Sequence, residues 1–239
     1  MRVLGDFPSK NLKTVISLGD LEAAQRLTLD YLEPPVVIAC DVARFGDDES
    51  IIATRFGRKI RIAEVLHGRD TMEVVGAIVR TVAEVKKPGV DFPTIVIDDV
   101  GVGGGVTDRL REVLAEKRSG TAQIRVVAFN GGHTALMDDE YPNRRSEVWF
   151  QFAEELPTVD LDDDEQLAED LLSPEYKLDS KGRRVVEPKA DTKKRLGRSP
   201  DRADAVLMTF AAGSPASAHP GWVDDSPRSR TGMRAGMSL

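Results

Sequence analysis

The chain has a single cysteine, Cys40, and only three histidines, His67, His133 and His219, set far apart. One cysteine excludes an internal disulfide framework and a cysteine-rich zinc site, and the histidines form no cluster in sequence. Any metal bound here is therefore expected on carboxylate oxygens, which suit magnesium or manganese rather than zinc. No apolar run approaches the roughly 18 to 20 residues that a membrane span needs. The opening residues, Met1 to Asp6, carry neither a signal-peptide core nor a lipidation pattern, so neither a membrane protein nor a secreted one is expected. The phosphate-loop pattern G-x-x-x-x-G-K-[ST] is absent, which excludes a P-loop nucleotidase. Aromatic residues make up 5%, and none interleaves with the basic residues, which disfavours stacking on single-stranded nucleic acid.

What is present is ordinary soluble composition: 239 residues, 41% hydrophobic and 31% charged, enough for one domain with extensions or two small ones. The net charge of −7 argues mildly against a nucleic-acid partner, but distribution matters more than the sum. Between Lys181 and Arg202 the chain carries Lys181, Arg183, Arg184, Lys189, Lys193, Lys194, Arg195, Arg198 and Arg202 against Glu187, Asp191 and Asp201. Acid gathers at Asp160, Asp162, Asp163, Asp164 and Glu165. Each run taken alone reads as a solvated face or loop.

Hydrophobic periodicity orders the chain. A short helix is expected over Asp20–Tyr31 with Asp20 as N-cap, then Pro34-Pro35 as punctuation. Val36–Ala43 is a continuous apolar run, read as a strand buried on both faces and interrupted by Asp41. A turn at Arg44–Glu49 leads to two further β-rich runs, Ser50–Arg55 and Ile60–Leu66, spaced for an antiparallel meander. Thr71–Val85 has a helical period, Thr94–Asp98 is a second buried strand ending in a carboxylate, and a helix is expected over Gly105–Lys117. Gln123–Ala128 reads as a strand, Arg144–Leu156 as a helix, Tyr176–Glu187 as a β-hairpin turning at Asp179–Gly182, and Asp201–Ala212 as a final helix. Beyond Gly213 the Ser-, Pro-, Gly- and Arg-rich stretch is expected to be a disordered tail. The order β-β-β-α-β-α-β matches the α/β ribonuclease H-like plan, a mixed sheet flanked by helices. The domain expected is 34–212, after an N-terminal segment at 1–33.

Three acids stand out by position. Asp41 interrupts an apolar strand, Asp98 ends a second strand, and Asp204 lies in the helix Asp201–Met208. A buried charge costs several kcal/mol unless paired or bound to metal. The two strands are central neighbours in this plan, so Asp41 and Asp98 meet at one sheet edge, where a packed helix brings in Asp204. Carboxylates meeting without basic partners repel, and two divalent ions roughly 4 Å apart would resolve the conflict and support phosphodiester hydrolysis. Each acid also has a plain alternative: Asp41 capping the next turn, Asp98 shaping a turn with Asp99, Asp204 as a surface acid. The glycines from Gly101 to Gly105 read as a tight strand-to-helix turn more readily than as a phosphate cradle. The hairpin and the basic stretch after it are placed along a DNA backbone, with Lys189 and Lys193 near the scissile phosphate.

The segments Val37–Asp48, Ile97–Val106 and Ser199–Ala205 resemble the three nuclease motifs of phage large terminase subunits. Arg2–Pro8 resembles the joint to their ATPase domain, and Asn143–Phe150 has a similar family look. The resemblance implies metal ligation by Asp41, Asp98 and Asp204, with Asp99 as second choice to Asp98 and Asp201 assisting a second ion. It implies an endonuclease that uses Mg2+ or Mn2+, two ions in all, to cut concatemeric double-stranded viral DNA in the host cytoplasm during packaging. The ATPase domain, absent here with its Walker motif, the portal protein and the small terminase subunit would be partners, and the isolated domain a monomer. Rival readings are an actin/Hsp70-like nucleotide site, a Holliday-junction resolvase or transposase, and a non-catalytic DNA-gripping or docking module.

Overall fold

The computed structural model describes residues 14–43, 49–86, 92–116 and 124–212. The N-terminal joint, the turn at 44–48 and the tail beyond 212 lie outside the described residues.

The first strand, β1 (Val36–Asp41), is buried along its whole length. Side chains alternate across a strand, so Val37 and Ala39 enter one core while Val36, Ile38 and Cys40 enter the other. That double burial explains the unbroken apolar run. β2 (Glu49–Phe56) and β3 (Lys59–His67) extend the sheet antiparallel through a two-residue turn that Gly57 permits at φ 56°. β4 (Thr94–Asp98) lies parallel to β1, and β5 (Arg125–Phe129) parallel to β4. A short strand, β6 (Asp160–Leu161), completes the order β5-β4-β1-β2-β3-β6. The three-strand antiparallel meander continued by parallel strands is the ribonuclease H-like sheet expected.

Helices cover both faces. α2 (Thr71–Val85), opened by an Asp70–Glu73 capping box, and α3 (Gly103–Glu116) bury apolar stripes against the Ile38 side. α4 (Arg144–Glu155), α5 (Glu165–Leu172) and α7 (Asp201–Met208) pack on the Ala39 side. α1 (Leu18–Arg26) joins that same core through Leu21 and Ala24. The hairpin, β7 (Tyr176–Leu178) with β8 (Arg184–Val186), stands as a separate two-stranded sheet. α6 (Lys189–Leu196) follows and stops at Gly197, left-handed at φ 77°.

Several local expectations need correction. α1 is shorter than expected, with Ser17 as its N-cap in place of Asp20. The last helix ends at Met208 because the next residues switch to tighter i→i−3 bonds, Thr209 to Val206, Phe210 to Leu207 and Ala211 to Met208. α5, α6 and β6 were not expected; each is eight residues or fewer, too short for a clear period.

Of the acidic run only Asp163 and Glu165 are exposed, and the other three acids have partners. Asp160 is 1% exposed and pairs with Arg61 at 2.5 Å. Asp162 accepts the Ile62 N–H at 2.6 Å, and Asp164 caps α5. These acids stitch the strand edge to its neighbours.

Candidate active site

Asp41 and Asp98 close adjacent parallel strands, one step beyond the Cys40–Ile97 pair. By alternation they share a sheet face with Ala39 and Val96, the face on which α7 packs. α7 starts after Pro200, and its Asp201 and Asp204, three apart, lie on one side of the helix. The fold thus brings Asp41, Asp98, Asp201 and Asp204 to one sheet edge. Asp99 turns elsewhere: its backbone N–H donates to the Phe129 carbonyl, and it is not among the residues lining the cavity beside Asp41, Asp98 and Asp204.

The cluster contains cations, contrary to the expectation of unaccompanied acids. Lys189, first residue of α6, places Nζ 2.8 Å from Asp41, 3.0 Å from Asp201 and 3.0 Å from Asp204. Arg145, on the first turn of α4, donates from Nη1 to Asp204 Oδ1 at 2.6 Å. Four carboxylates against two cations leave the cluster negative. Arg145 went unassigned because nothing in sequence separates it from Arg144, which pairs instead with Glu147.

Burial sets the protonation. Desolvation, reinforced by Asp204 and Asp201, pushes the Asp41 carboxyl up to about 8 against the pull of Lys189. Desolvation raises Asp98 too, although the Val100 N–H, Lys189 and a hydrogen bond with Asp41 oppose it. Burial alone would raise Asp204, but Arg145 and Lys189 hold it below the ordinary carboxylate range. Lys189 is also penalised by burial, yet Asp204, Asp41 and Asp201 keep its pKa above the usual lysine value. A proton on Asp41, the Lys189 ammonium and the Arg145 guanidinium together offset three of the four acids.

The donor set suits a hard divalent cation. All four acids offer oxygen, Lys189 already marks where positive charge is held, and Asp204 Oδ2 is buried without hydrogen-bond geometry to any partner. Among the described residues, however, no group of three His, Cys, Asp or Glu side chains is arranged to hold an ion. The ammonium of Lys189 occupies the space between Asp41, Asp201 and Asp204. Beside them opens a cavity of about 260 Å3 whose apolar wall includes Phe129, Val148, Trp149, Leu207 and Met208.

The basic residues do not form one open face. Arg183 pairs with Asp179, Arg184 with Glu140, Lys194 with Asp191, Arg195 with Glu187, Arg198 with Glu169 and Asp170, and Arg202 with Asp164. Lys181 at the hairpin tip and Lys193 on α6 are exposed. The glycines act as a turn: a Cβ on Gly103 would stand 1.6 Å from the Asp98 carbonyl oxygen, so the chain reverses tightly there.

No protein-family model and no curated protein sequence matches the chain. Solved structures do. The nuclease domain of the large terminase subunit gp2 of bacterial virus Sf6 aligns with a TM-score of 0.68 at 23% identity, over 82% of this chain and 98% of that one. The fold is that of a large terminase nuclease domain. The terminase nuclease of thermophilic phage G20c with bound magnesium aligns at TM-score 0.53 and 14% identity, over 84% of this chain and 98% of that one. The HK97 bacteriophage large terminase aligns at TM-score 0.54 and 9% identity, over 84% of this chain and 43% of that one. A lysine-to-alanine variant of the Sf6 domain carries manganese.

Proposed function

We propose that this chain is the nuclease part of a phage large terminase, an endonuclease that cuts concatemeric double-stranded DNA during genome packaging with Mg2+ or Mn2+. The observation that carries the reading is the convergence of Asp41 and Asp204 on the single ammonium of Lys189, with Asp98, from the neighbouring strand end, lining the cavity beside them. The terminase nuclease fold and the metals named in its solved neighbours support the same reading.

Asp41, Asp98 and Asp204 are the proposed ligands, with Asp201 toward a second ion. Bound there, two divalent ions supply an activated water and stabilise the leaving oxygen of the phosphodiester. The chain's own contribution is positional. Lys189 must withdraw from the carboxylates, and Asp41 must give up its proton, before the acids can ligate. Arg145 orients Asp204 through Oδ1 and leaves Oδ2 for the cation. Lys181 and Lys193, exposed on the hairpin and α6, are the proposed contacts to a DNA backbone. The ATPase domain, portal and small terminase subunit are the partners this reading implies.

Plasmid cleavage tests it. Supercoiled DNA is incubated with manganese, magnesium or chelator, using wild type, Asp41→Ala and Asp204→Ala. Metal-dependent nicking lost in both variants supports the nuclease and two of its ligands. Cutting that survives both substitutions places the chemistry elsewhere. Absence of cutting with any metal favours the non-catalytic docking module.

A further inference from the structure

Among the described residues, three side chains lining the cavity carry N–H donors: Lys189, Trp149 and Arg145. A phosphodiester entering beside four carboxylates needs donors as well as metal, so their availability decides which of them meets it. Lys189 has three N–H bonds and three carboxylates within 3.0 Å. Trp149 is 1% exposed and its indole nitrogen is likewise buried without a partner, but it is neutral and offers a single N–H. Arg145 is different. Nη1 serves Asp204, Nε lies at a long 3.5 Å from the Glu187 carbonyl, and Nη2 is buried with no partner. A buried guanidinium nitrogen without an acceptor carries a desolvation cost that an incoming oxygen removes.

The arginine is also held ready. Its backbone N–H donates to the Gly131 carbonyl at 2.9 Å, and its guanidinium lies 5.8 Å from the centre of the Trp149 ring. Its partner Asp204 is a proposed metal ligand, and a ligating carboxylate shares its charge with the cation and grips a guanidinium less firmly.

We propose that Arg145 is a substrate-binding residue that takes a non-bridging oxygen of the DNA phosphodiester in this cavity, through Nη2 and an Nη1 loosened from Asp204. The inference rests on the nuclease reading for the identity of its ligand. It divides the labour between the two cations of the site: Lys189 compensates the acids in the absence of metal, and Arg145 binds substrate. Its planar fork suits phosphate better than a lysine does.

The test uses the full chain and a short fluorescent DNA duplex in calcium, so that binding is read without relying on cutting. Wild type, Arg145→Gln and Arg145→Lys are titrated across a salt series, and Mn2+ affinity is measured without DNA by the free-ion signal in electron paramagnetic resonance. The expected result is about tenfold or more weaker duplex binding by Arg145→Gln, with a salt slope smaller by about one. Arg145→Lys, which keeps the charge, retains the slope, and the Mn2+ titration reads separately how far loss of the Asp204 contact weakens the metal site. An unchanged slope in Arg145→Gln with weakened Mn2+ binding would mean that Arg145 only positions Asp204, and would overturn the proposal. So would a wild type that binds no duplex. A wild type that binds duplex in calcium but cuts with no metal would remove the nuclease reading alone and leave the salt-slope comparison decisive for Arg145.

Discussion

Lys189 Nζ lies 2.8 Å from Asp41 Oδ2, across 148 residues of sequence. The lysine opens α6 and the aspartate ends β1, so the pair joins the basic segment to the centre of the sheet. It fills with a monovalent charge the space that the nuclease reading gives to a divalent one.

Lys189→Ala should lower the stability of the metal-free protein and enlarge its response to manganese. Removing one partner of a buried ion pair costs about 3–5 kcal/mol; with Lys189 35% exposed, a loss nearer about 1–3 kcal/mol is expected after solvent screening. Thermal melts with and without Mn2+ measure both effects. A manganese-induced stabilisation no larger than that of wild type would deny that the ammonium and the metal compete.

Stability should depend on pH through Asp41. Its folded value of about 8 lies above the 3.8 of an ordinary aspartate, so the native state holds a proton that the unfolded chain has released. Raising the pH between these values therefore removes stability. Asp41→Asn cannot lose that proton. Relative to this variant, metal-free wild type is expected to weaken steadily from about pH 4 to about pH 8 in urea unfolding. Metal uptake displaces the same proton, so Mn2+ affinity should rise over that window and level off above it. Parallel stability curves for the two proteins would show that Asp41 is ionised throughout.

Gly103→Ala and Gly105→Ala separate a turn from a phosphate cradle. A Cβ at 103 meets the Asp98 carbonyl oxygen at 1.6 Å, whereas at 105 nothing lies within 4 Å. The first substitution should cost about 3 kcal/mol by forcing backbone apart. The second should be neutral or gain up to about 1 kcal/mol of helix propensity. Urea denaturation of both variants reads the difference; equal costs would refute the packing argument.

Arg198→Ala should behave as a stability variant. Arg198 bonds Asp170, which is fully buried and already pushed up to about 6 by desolvation, and Glu169 stands 2.8 Å away. Losing the arginine strands a buried carboxyl, at about 2–3 kcal/mol, less than for an ion pair because the acid can protonate instead. Duplex affinity of the folded variant should stay near wild type, in contrast to Arg145→Gln. A loss of affinity at full stability would return Arg198 to the DNA-facing set.

The two buried strands were legible in the sequence because burial on both faces demands uninterrupted apolar residues, and the carboxylates ending those runs were conspicuous for the same reason. α2 was legible because fifteen residues hold a helical period and end in Pro88-Gly89. α6 was not. Its eight residues are almost wholly polar, and it is bounded by Pro188 and Gly197, whose effects on the backbone do not distinguish a short helix from a loop. The Asp160–Glu165 run misled because charge content shows what a segment carries and not what faces it; Arg61 and the Ile62 N–H come from a strand about one hundred residues earlier.

The sequence by itself determined the central strands β4-β1-β2-β3, the tight turn after β4 and the conspicuous positions of three acids, since each follows from local sterics and from which faces must be hidden from water. Only the tertiary structure decided the electrostatic partners. The sequence placed Lys189 and Lys193 alike near the scissile phosphate and gave neither a carboxylate partner, and Arg145 looks like Arg144. Which of them faces a carboxylate depends on where the packing of α4, α6 and α7 against the sheet brings side chains far apart in the chain. The energy of a charge depends on its neighbours within a few ångströms and on their exclusion from water, and neither is written in residue order.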